Sequence, residues 1–352
     1  MKHQADVIIV GGGLNGPALA LALAQVGITS LLVDAQPLQV RRNARFDGRA
    51  YAIALATRRM LSALGVWDEV VAQAEPILDI KVSDGRDGEG ASPLHVHFDH
   101  REIGEGPMGH LVEDRYLRRA LLEAVKACPQ ITSLAPQTVI SQSIGPGHVT
   151  VTTEDGLDLH ASLLVGCDGR GSQTAQRAGI SRQGWGYGQT ALVCALKHSQ
   201  PHNSTAHQLF LPSGPLALLP LPDDTISVVW TERDAVAASL KDADDATYLA
   251  ALEPKVGSFL GHLTLTGERY VYPLGLSLAS SLTAERLALV GDAAHGIHPL
   301  AGQGLNLGLR DVAALAEVLA QAKSAELSCL ARVRLRPVQA APSSSAPAPR
   351  RV

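Results

Sequence analysis

Three stretches of this chain carry residue types at a spacing that can do chemistry. The first is Asp6-Val7-Ile8-Ile9-Val10 running into Gly11-Gly12-Gly13-Leu14-Asn15-Gly16 and then an apolar helical pattern. Gly11, Gly13 and Gly16 fit G-x-G-x-x-G between a strand and a helix. Gly11 supplies unusual dihedrals for the turn, Gly13 lets the backbone approach a pyrophosphate, and Gly16 lets helix and strand pack closely. Phosphates then sit at a helix N-terminus, where unpaired N–H groups and the dipole favour negative charge. Asp34 follows Gly13 by 21 residues, where a carboxylate accepts from an adenosine ribose hydroxyl and repels a 2′-phosphate.

The second stretch, Gly166-Cys167-Asp168-Gly169, ends the apolar run Leu163-Leu164-Val165. It places Asp168 at the carboxyl edge of a sheet, where α/β folds bind ligands, although an ordinary turn fits as well. The third runs from Leu289-Val290-Gly291-Asp292 through His298-Pro299-Leu300-Ala301-Gly302-Gln303-Gly304-Leu305-Asn306. Asp292 follows the apolar run Leu287–Val290 and suits a polyol hydroxyl. Pro299 to Gly304 make a tight loop poor in side chains. A helix opens near Gly304, with Leu305, Leu309, Val312, Leu315 and Leu319 on its core face. Its positive end suits a ring that becomes anionic on reduction. The basic segment Arg42 to Leu55 reads equally as a solvated loop or as the source of an arginine for phosphate.

These segments need a scaffold. Asp6–Val10, a helix over Pro17 to Val26, and Ser30–Val33 ending at Asp34 form a βαβ unit. Helices are expected over Arg58 to Val71 and Arg115 to Lys126. Val149–Thr153 and Leu157–Ser162 read as a hairpin around Glu154-Asp155-Gly156. From Gln189 to about Val271 short strands alternate with Pro and Gly. The fold class is α/β: a Rossmann-like domain (1–75, 101–188 and 268–330) interrupted by a mostly antiparallel sheet that serves as substrate domain (76–100 and 189–267). Residues 331–352 hold five arginines, four prolines and no acid, the composition of a disordered tail.

The 352 residues, 46% of them hydrophobic, can bury a sizeable core, and a formal charge of -4 with interspersed signs leaves no nucleic-acid footprint. Cys128, Cys167, Cys194 and Cys329 lack paired or metal-type spacing, so reduced thiols in a cytoplasmic setting are expected. The strand begins too early to leave room for a signal peptide. No run reaches the roughly 20 apolar residues of a membrane span. His95, His97, His100, His295 and His298 have no Cys or carboxylate at ligand spacing, so no metal is expected. No Ser-His-Asp order or P-loop occurs, and no catalytic residue is assigned.

Taken in order, the glycine motif, Asp168-Gly169 and Gly291-Asp292 with its Pro/Gly loop resemble the para-hydroxybenzoate-hydroxylase-type flavoprotein monooxygenases. Phe46-Asp47-Gly48-Arg49-Ala50, Leu64-Gly65-Val66-Trp67 and His298 to Asp311 resemble the aromatic hydroxylases of ubiquinone biosynthesis. The resemblance covers roughly residues 5–322 and implies FAD as cofactor. It implies that Arg49 reaches the FAD phosphates, Asp292 the ribityl chain, and Pro299 with Gly302, Gln303, Gly304, Leu305 and Asn306 the isoalloxazine. By the same resemblance Asp168 supports the nucleotide side and the nicotinamide approach, and Asp114 makes a polar flavin contact. The implied reaction is NAD(P)H reduction of the flavin, formation of a C4a-hydroperoxide with O₂, and hydroxylation of a polyprenylated phenol, with peripheral contact to a membrane or a quinone-biosynthesis complex. Two departures stand out: Ala175 occupies the place of an arginine that many relatives carry after the Asp-Gly stretch, and the Arg/Pro/Ser tail replaces a helical C-terminal region.

Overall fold

The computed structural model describes residues 4–42, 48–86 and 90–325. Phe46, Asp47, Cys329 and the expected tail at 331–352 lie outside the described residues.

The centre is a six-stranded sheet in the order Thr283–Ala284, Leu287–Leu289, Leu163–Gly166, Val7–Val10, Ser30–Val33, Ile131–Leu134. All neighbours are parallel except the first pair. Numbering the parallel strands along the chain gives the spatial order 3-2-1-4-5, so the strand order reverses between Val7–Val10 and Leu163–Gly166. In open α/β sheets ligands bind at the carboxyl ends of strands flanking such a reversal. Those ends are Val10, leading to Gly11, and Gly166, leading to Cys167. Val7, Ile8 and Ile9 are all fully buried, because both faces of the sheet are covered. On one side Val7, Ile9, Leu32 and Val165 pack on Leu19, Leu23, Leu121 and Leu309. These come from the helices Asn15–Gln25, Asp114–Ala127 and Gln303–Ser324. On the other, Ile8, Leu31 and Leu164 pack on Val149, Val151 and Leu159 of a three-stranded antiparallel layer, Val139–Gly145, His148–Thr153 and Asp158–Ala161.

The expected helix over Arg58 to Val71 is shorter and earlier, Leu55–Ala63. Gly65, with φ 72°, ends it by allowing Val66 N–H to close back on the Leu61 carbonyl. Only 3-10 turns follow, at Trp67–Glu69 and Val71–Gln73. The first helix begins at Asn15 rather than Pro17, since proline is tolerated in the first turn, where its missing N–H has no partner to lose.

An eight-stranded sheet stands against the carboxyl edge of the parallel one. Its order is His295–Gly296, Leu263–Ala279, Arg182–His198, Thr225–Arg233, Gly214–Leu221, Thr205–Leu211, Asp79–Arg86, Gly90–Asp99. Thr205–Leu211 and Asp79–Arg86 are its one parallel pair. The 17-residue strands Arg182–His198 and Leu263–Ala279 run through positions 189 and 267, so the sheet is continuous where domain boundaries are expected. One face packs on helices Asp234–Lys241 and Asp245–Val256 through Leu192, Leu209, Val228, Trp230, Tyr248 and Leu252. A small sheet of Ala50–Ala54, Gly109–Glu113 and Glu75–Ile77 joins the two units. Among the described residues no helix is long and apolar enough to cross a membrane, and no group of His, Cys, Asp or Glu is arranged to hold a metal. Cys128, Cys167 and Cys194 are free thiols.

Candidate functional site

A cavity of about 680 Å³ lies where the carboxyl edge of the parallel sheet meets the large sheet. Gly13, Arg49, Asp292, Pro299, Gly302, Gly304 and Leu305 line it, bringing together segments that the sequence separates by almost three hundred residues. Its floor is apolar: Ile80, Val82, Ala206, Ala217, Leu219 and Val229, with Gln208 and Thr231 as polar groups.

The three motif glycines do different work. A Cβ on Gly11, whose φ is +116°, would lie 2.3 Å from the Cys167 carbonyl oxygen, and one on Gly16 would lie 1.9 Å from that of Gly11. Both are therefore needed to seat the loop between the strand ends. Among the described residues nothing lies within 4 Å of a Cβ on Gly13, which opens on the cavity. Behind it the helix Asn15–Gln25 starts with no side-chain cap, leaving first-turn N–H groups available.

The expected carboxylates are spread around this centre. Asp34 is buried and accepts from Arg41 at 2.7 and 3.0 Å and from the Gln36 amide at 3.0 Å. It packs over Gly12, whose Cβ would lie 2.2 Å from Asp34 Oδ2. Asp114 stands behind the cavity wall, buried. It accepts from Tyr51 Oη at 3.0 Å, Arg118 at 2.6 Å and Arg49 at 3.3 Å, so it orients the lining pair Arg49 and Tyr51. Asp168 accepts from Ser172 Oγ at 2.6 Å and the Thr174 amide at 2.9 Å, fastening the turn before the helix Gln173–Arg177. Asp292 faces the cavity and meets Arg170 Nε at 3.2 Å. Arg170 also donates to the Ile297 carbonyl at 3.2 Å.

The long C-terminal helix begins beside the cavity at Gln303, which is exposed. Gly302 precedes it with φ 61° and also carries no side-chain cap. Asn306 is buried and turned to the backbone. Its Oδ1 accepts from Ala54 N–H at 3.0 Å and Thr57 Oγ1 at 2.7 Å, and its Nδ2 donates to the Ala52 and Gly302 carbonyls at 2.8 and 3.1 Å. Asn306 thus pins the glycine loop to the strand that carries Tyr51.

Several polar lining residues carry no site assignment from sequence. Asn15 reads from sequence only as a polar residue inside the glycine motif; its Oδ1 is buried without a hydrogen-bond partner among the described residues. Tyr51, Arg170 and His298 also line the cavity. Burial and the Arg170 charge hold His298 below its usual range, so it faces the cavity as a neutral ring. His295 instead pairs with Asp311 at 2.6 Å. Burial opposes its proton, but the Asp311 hydrogen bond and charge outweigh this and raise its pKa. Desolvation pushes the Cys167 thiol far up, and the Asp168 and Asp311 charges add to it, which keeps the thiol protonated.

The model of the FAD-binding domain family matches residues 4–332. The chain is 45% identical over 319 residues to the ubiquinone hydroxylase UbiL of Rhodospirillum rubrum, covering 91% of this chain and 73% of that one. It is 36% identical to the 3-demethoxyubiquinol 3-hydroxylase of Escherichia coli, covering 92% and 81%. The crystal structure of PqsL from Pseudomonas aeruginosa superposes with TM-score 0.77 at 22% identity, over 93% of this chain and 88% of that one. Fold and site thus define an FAD-dependent monooxygenase. The chain belongs to the FAD-binding domain family, in the branch of the ubiquinone-biosynthesis hydroxylases.

The residues present fit FAD. An open glycine backbone faces an uncapped helix start, an arginine and a carboxylate flank the cavity, and Asn15 Oδ1 is a buried acceptor with no hydrogen-bond partner among the described residues.

Proposed function

We propose that this chain hydroxylates the aromatic ring of a polyprenylated phenol in ubiquinone biosynthesis, using FAD, NAD(P)H and O₂. What supports the reading is the convergence of the glycine loop, Arg49, Asp292 and the Gly302 helix start on one cavity whose floor is apolar.

In this reading Gly13 and the start of the helix Asn15–Gln25 receive the pyrophosphate, and Arg49 pairs with it. Asp34 takes the ribose hydroxyl from its seat beside Arg41. Asp292 accepts from the ribityl chain, while Pro299, Gly302, Gln303, Gly304 and Leu305 frame the ring system. Asp114 acts through Arg49 and Tyr51, Asn306 through the loop it pins, and Asp168 through the turn on the nicotinamide side. Gly11 and Gly16 keep the first loop closed against the strand ends. Bound FAD supplies hydride acceptance and oxygen activation; the chain supplies position, dryness and electrostatics. The apolar floor excludes water from the ring, and neutral His298 adds no charge there. No side chain is given a proton-transfer role.

The division of labour follows the same proposal: residues 1–75, 101–188 and 268–330 carry the cofactor, and 76–100 with 189–267 face the substrate. Cytoplasmic placement with peripheral attachment to a membrane or a quinone-biosynthesis complex would bring the enzyme to so apolar a substrate.

The test is turnover by purified, FAD-loaded protein in labelled O₂. A prenylated phenol should stimulate NAD(P)H oxidation and acquire one labelled oxygen on its ring. Oxidation that yields only hydrogen peroxide would make the chain a flavin reductase, and bound flavin without any stimulation would make it a scaffold.

A further inference from the structure

The large sheet carries its apolar floor beyond the cavity, and the strand register shows where it goes. Ile80 and Val82 line the cavity. Across the antiparallel ladder they stand opposite Phe98 and Val96 of the edge strand Gly90–Asp99. Directly paired residues share a face, and side chains two apart along a strand do too. Phe98 and Val96 therefore extend the face that forms the cavity floor, and Leu94 follows them where the register shifts beyond Ser83 and His95. They are 49%, 57% and 84% exposed, rising outward from the cavity. Phe210, which also lines the cavity, is 43% exposed and marks its mouth.

The other face of the same edge strand is polar. His97 pairs with Asp79 at 2.5 Å, and His95 alternates with the apolar residues. Edge strands usually protect themselves with charge or proline; this one carries Pro93 near its start but leaves Leu94, Val96 and Phe98 exposed beyond it, over about 13 Å at roughly 3.3 Å per residue. A cavity of about 680 Å³ is the size that encloses a ligand of drug size. A ring with a long isoprenoid chain, sharing that space with part of a cofactor, overflows it.

We propose that the face formed by Leu94, Val96 and Phe98 seats the isoprenoid tail of the substrate as it leaves the cavity past Val82 and Phe210. The proposal rests on the reading of the site as a hydroxylase of prenylated phenols. It commits the sheet face to a tail rather than to a second copy of the chain or to a membrane surface, because the stripe is continuous with the cavity floor and in register with it at Phe98 and Val96.

The experiment compares the FAD-loaded wild type with the double variant Val96→Asp/Phe98→Asp, on a tail-free phenol, a geranylated one and an octaprenylated one. KM for the octaprenylated phenol should rise about tenfold or more, since charge replaces apolar contact. KM for the tail-free phenol, kcat and flavin absorbance should stay as in the wild type. A KM that rises equally for all three overturns the proposal. So does a change from dimer to monomer in the variant without any tail-length effect, which would give the face to a second copy. Loss of binding to anionic phospholipid vesicles without a tail-length effect overturns it too. An independent arm uses an octaprenylated phenol with a diazirine on the tail. Labelling of the Gly90–Ile103 peptide is expected, and labelling confined to other segments overturns the tail seat. This arm does not need turnover. Labelled Gly90–Ile103 in a protein that hydroxylates none of the phenols would leave the tail seat standing and sink the hydroxylase reading alone.

Discussion

Asn15 and Gly291 interlock across the two halves of the cofactor site: a Cβ on Gly291 would lie 2.1 Å from Asn15 Nδ2. Gly308 closes the other side of the same slot, its Cβ falling 2.6 Å from that nitrogen. The first-loop asparagine is thus clasped by glycines from the third motif and from the helix that follows it. Gly291 also holds φ 64°, a conformation that costs a non-glycine residue about 1–2 kcal/mol. Gly291→Ala should lower the Tm by several degrees, and Gly291→Ala with Asn15→Ala should recover part of that loss. Thermal unfolding of the two single variants and the double measures the coupling. Strictly additive losses would mean that the clasp has no energetic content.

The glycines of the first loop should separate by phenotype. Gly13→Val adds a side chain where nothing lies within 4 Å, so the protein should remain soluble with an unchanged Tm in the apo form. That side chain occupies the phosphate approach, so purified protein should lose its flavin absorbance. Gly11→Ala drives a methyl to 2.3 Å from the Cys167 carbonyl oxygen at φ +116°, and should reduce soluble yield. Gly13→Val that retains stoichiometric flavin would remove this loop from the phosphate site.

How much of this was legible in the sequence depends on the range of the signal. The βαβ unit and the glycine motif are local, so Val7–Val10, Ser30–Val33 and the helix between them were readable to within two residues. Helix ends set by one backbone conformation were not: φ at Gly65 stops Leu55–Ala63, although apolar spacing continues to Trp67. The pairing of strand 79–86 with strand 205–211 joins segments more than a hundred residues apart and leaves no local trace. Nor does spacing reveal how a carboxylate is spent. Spacing reads Asp34 as a ribose contact and Asp168 equally as a ligand contact or a turn, and only the resemblance makes Asp114 a flavin contact. The fold engages them with Arg41, with Tyr51 and two arginines, and with Ser172 and the Thr174 amide. The packing of Asn15 leaves no local trace either, because the glycines that clasp it, Gly291 and Gly308, lie on distant segments.

His207 should make the protein acid-sensitive. It packs against Phe259, the two rings tilted with centroids 4.4 Å apart. Burial lowers its pKa from the usual 6.5 to about 4, with help from the Lys81 and His95 charges. Between those values the unfolded chain binds a proton that the native one refuses, so stability falls as pH drops from about 6.5 towards 4. At about 1.4 kcal/mol per pH unit the loss approaches an upper bound of roughly 3 kcal/mol. His207→Leu should remove this part of the acid loss. Its Tm relative to wild type should therefore rise between pH 7.5 and pH 5. A constant difference across that range would show that His207 is not the titrating group.

Asp292→Ala should separate holding the cofactor from holding the fold. The carboxylate and its partner Arg170 are 43% and 44% exposed, and ion pairs so open to water contribute little to stability. The apo Tm should therefore move by no more than about a degree. Toward FAD the same oxygen is an acceptor inside the cavity, and its loss should cost about 1–3 kcal/mol. The flavin Kd should then rise roughly tenfold or more, which fluorescence titration of apo protein with FAD would measure. An unchanged Kd together with a lowered apo Tm would make Asp292 a structural partner of Arg170 and take it out of the cofactor site.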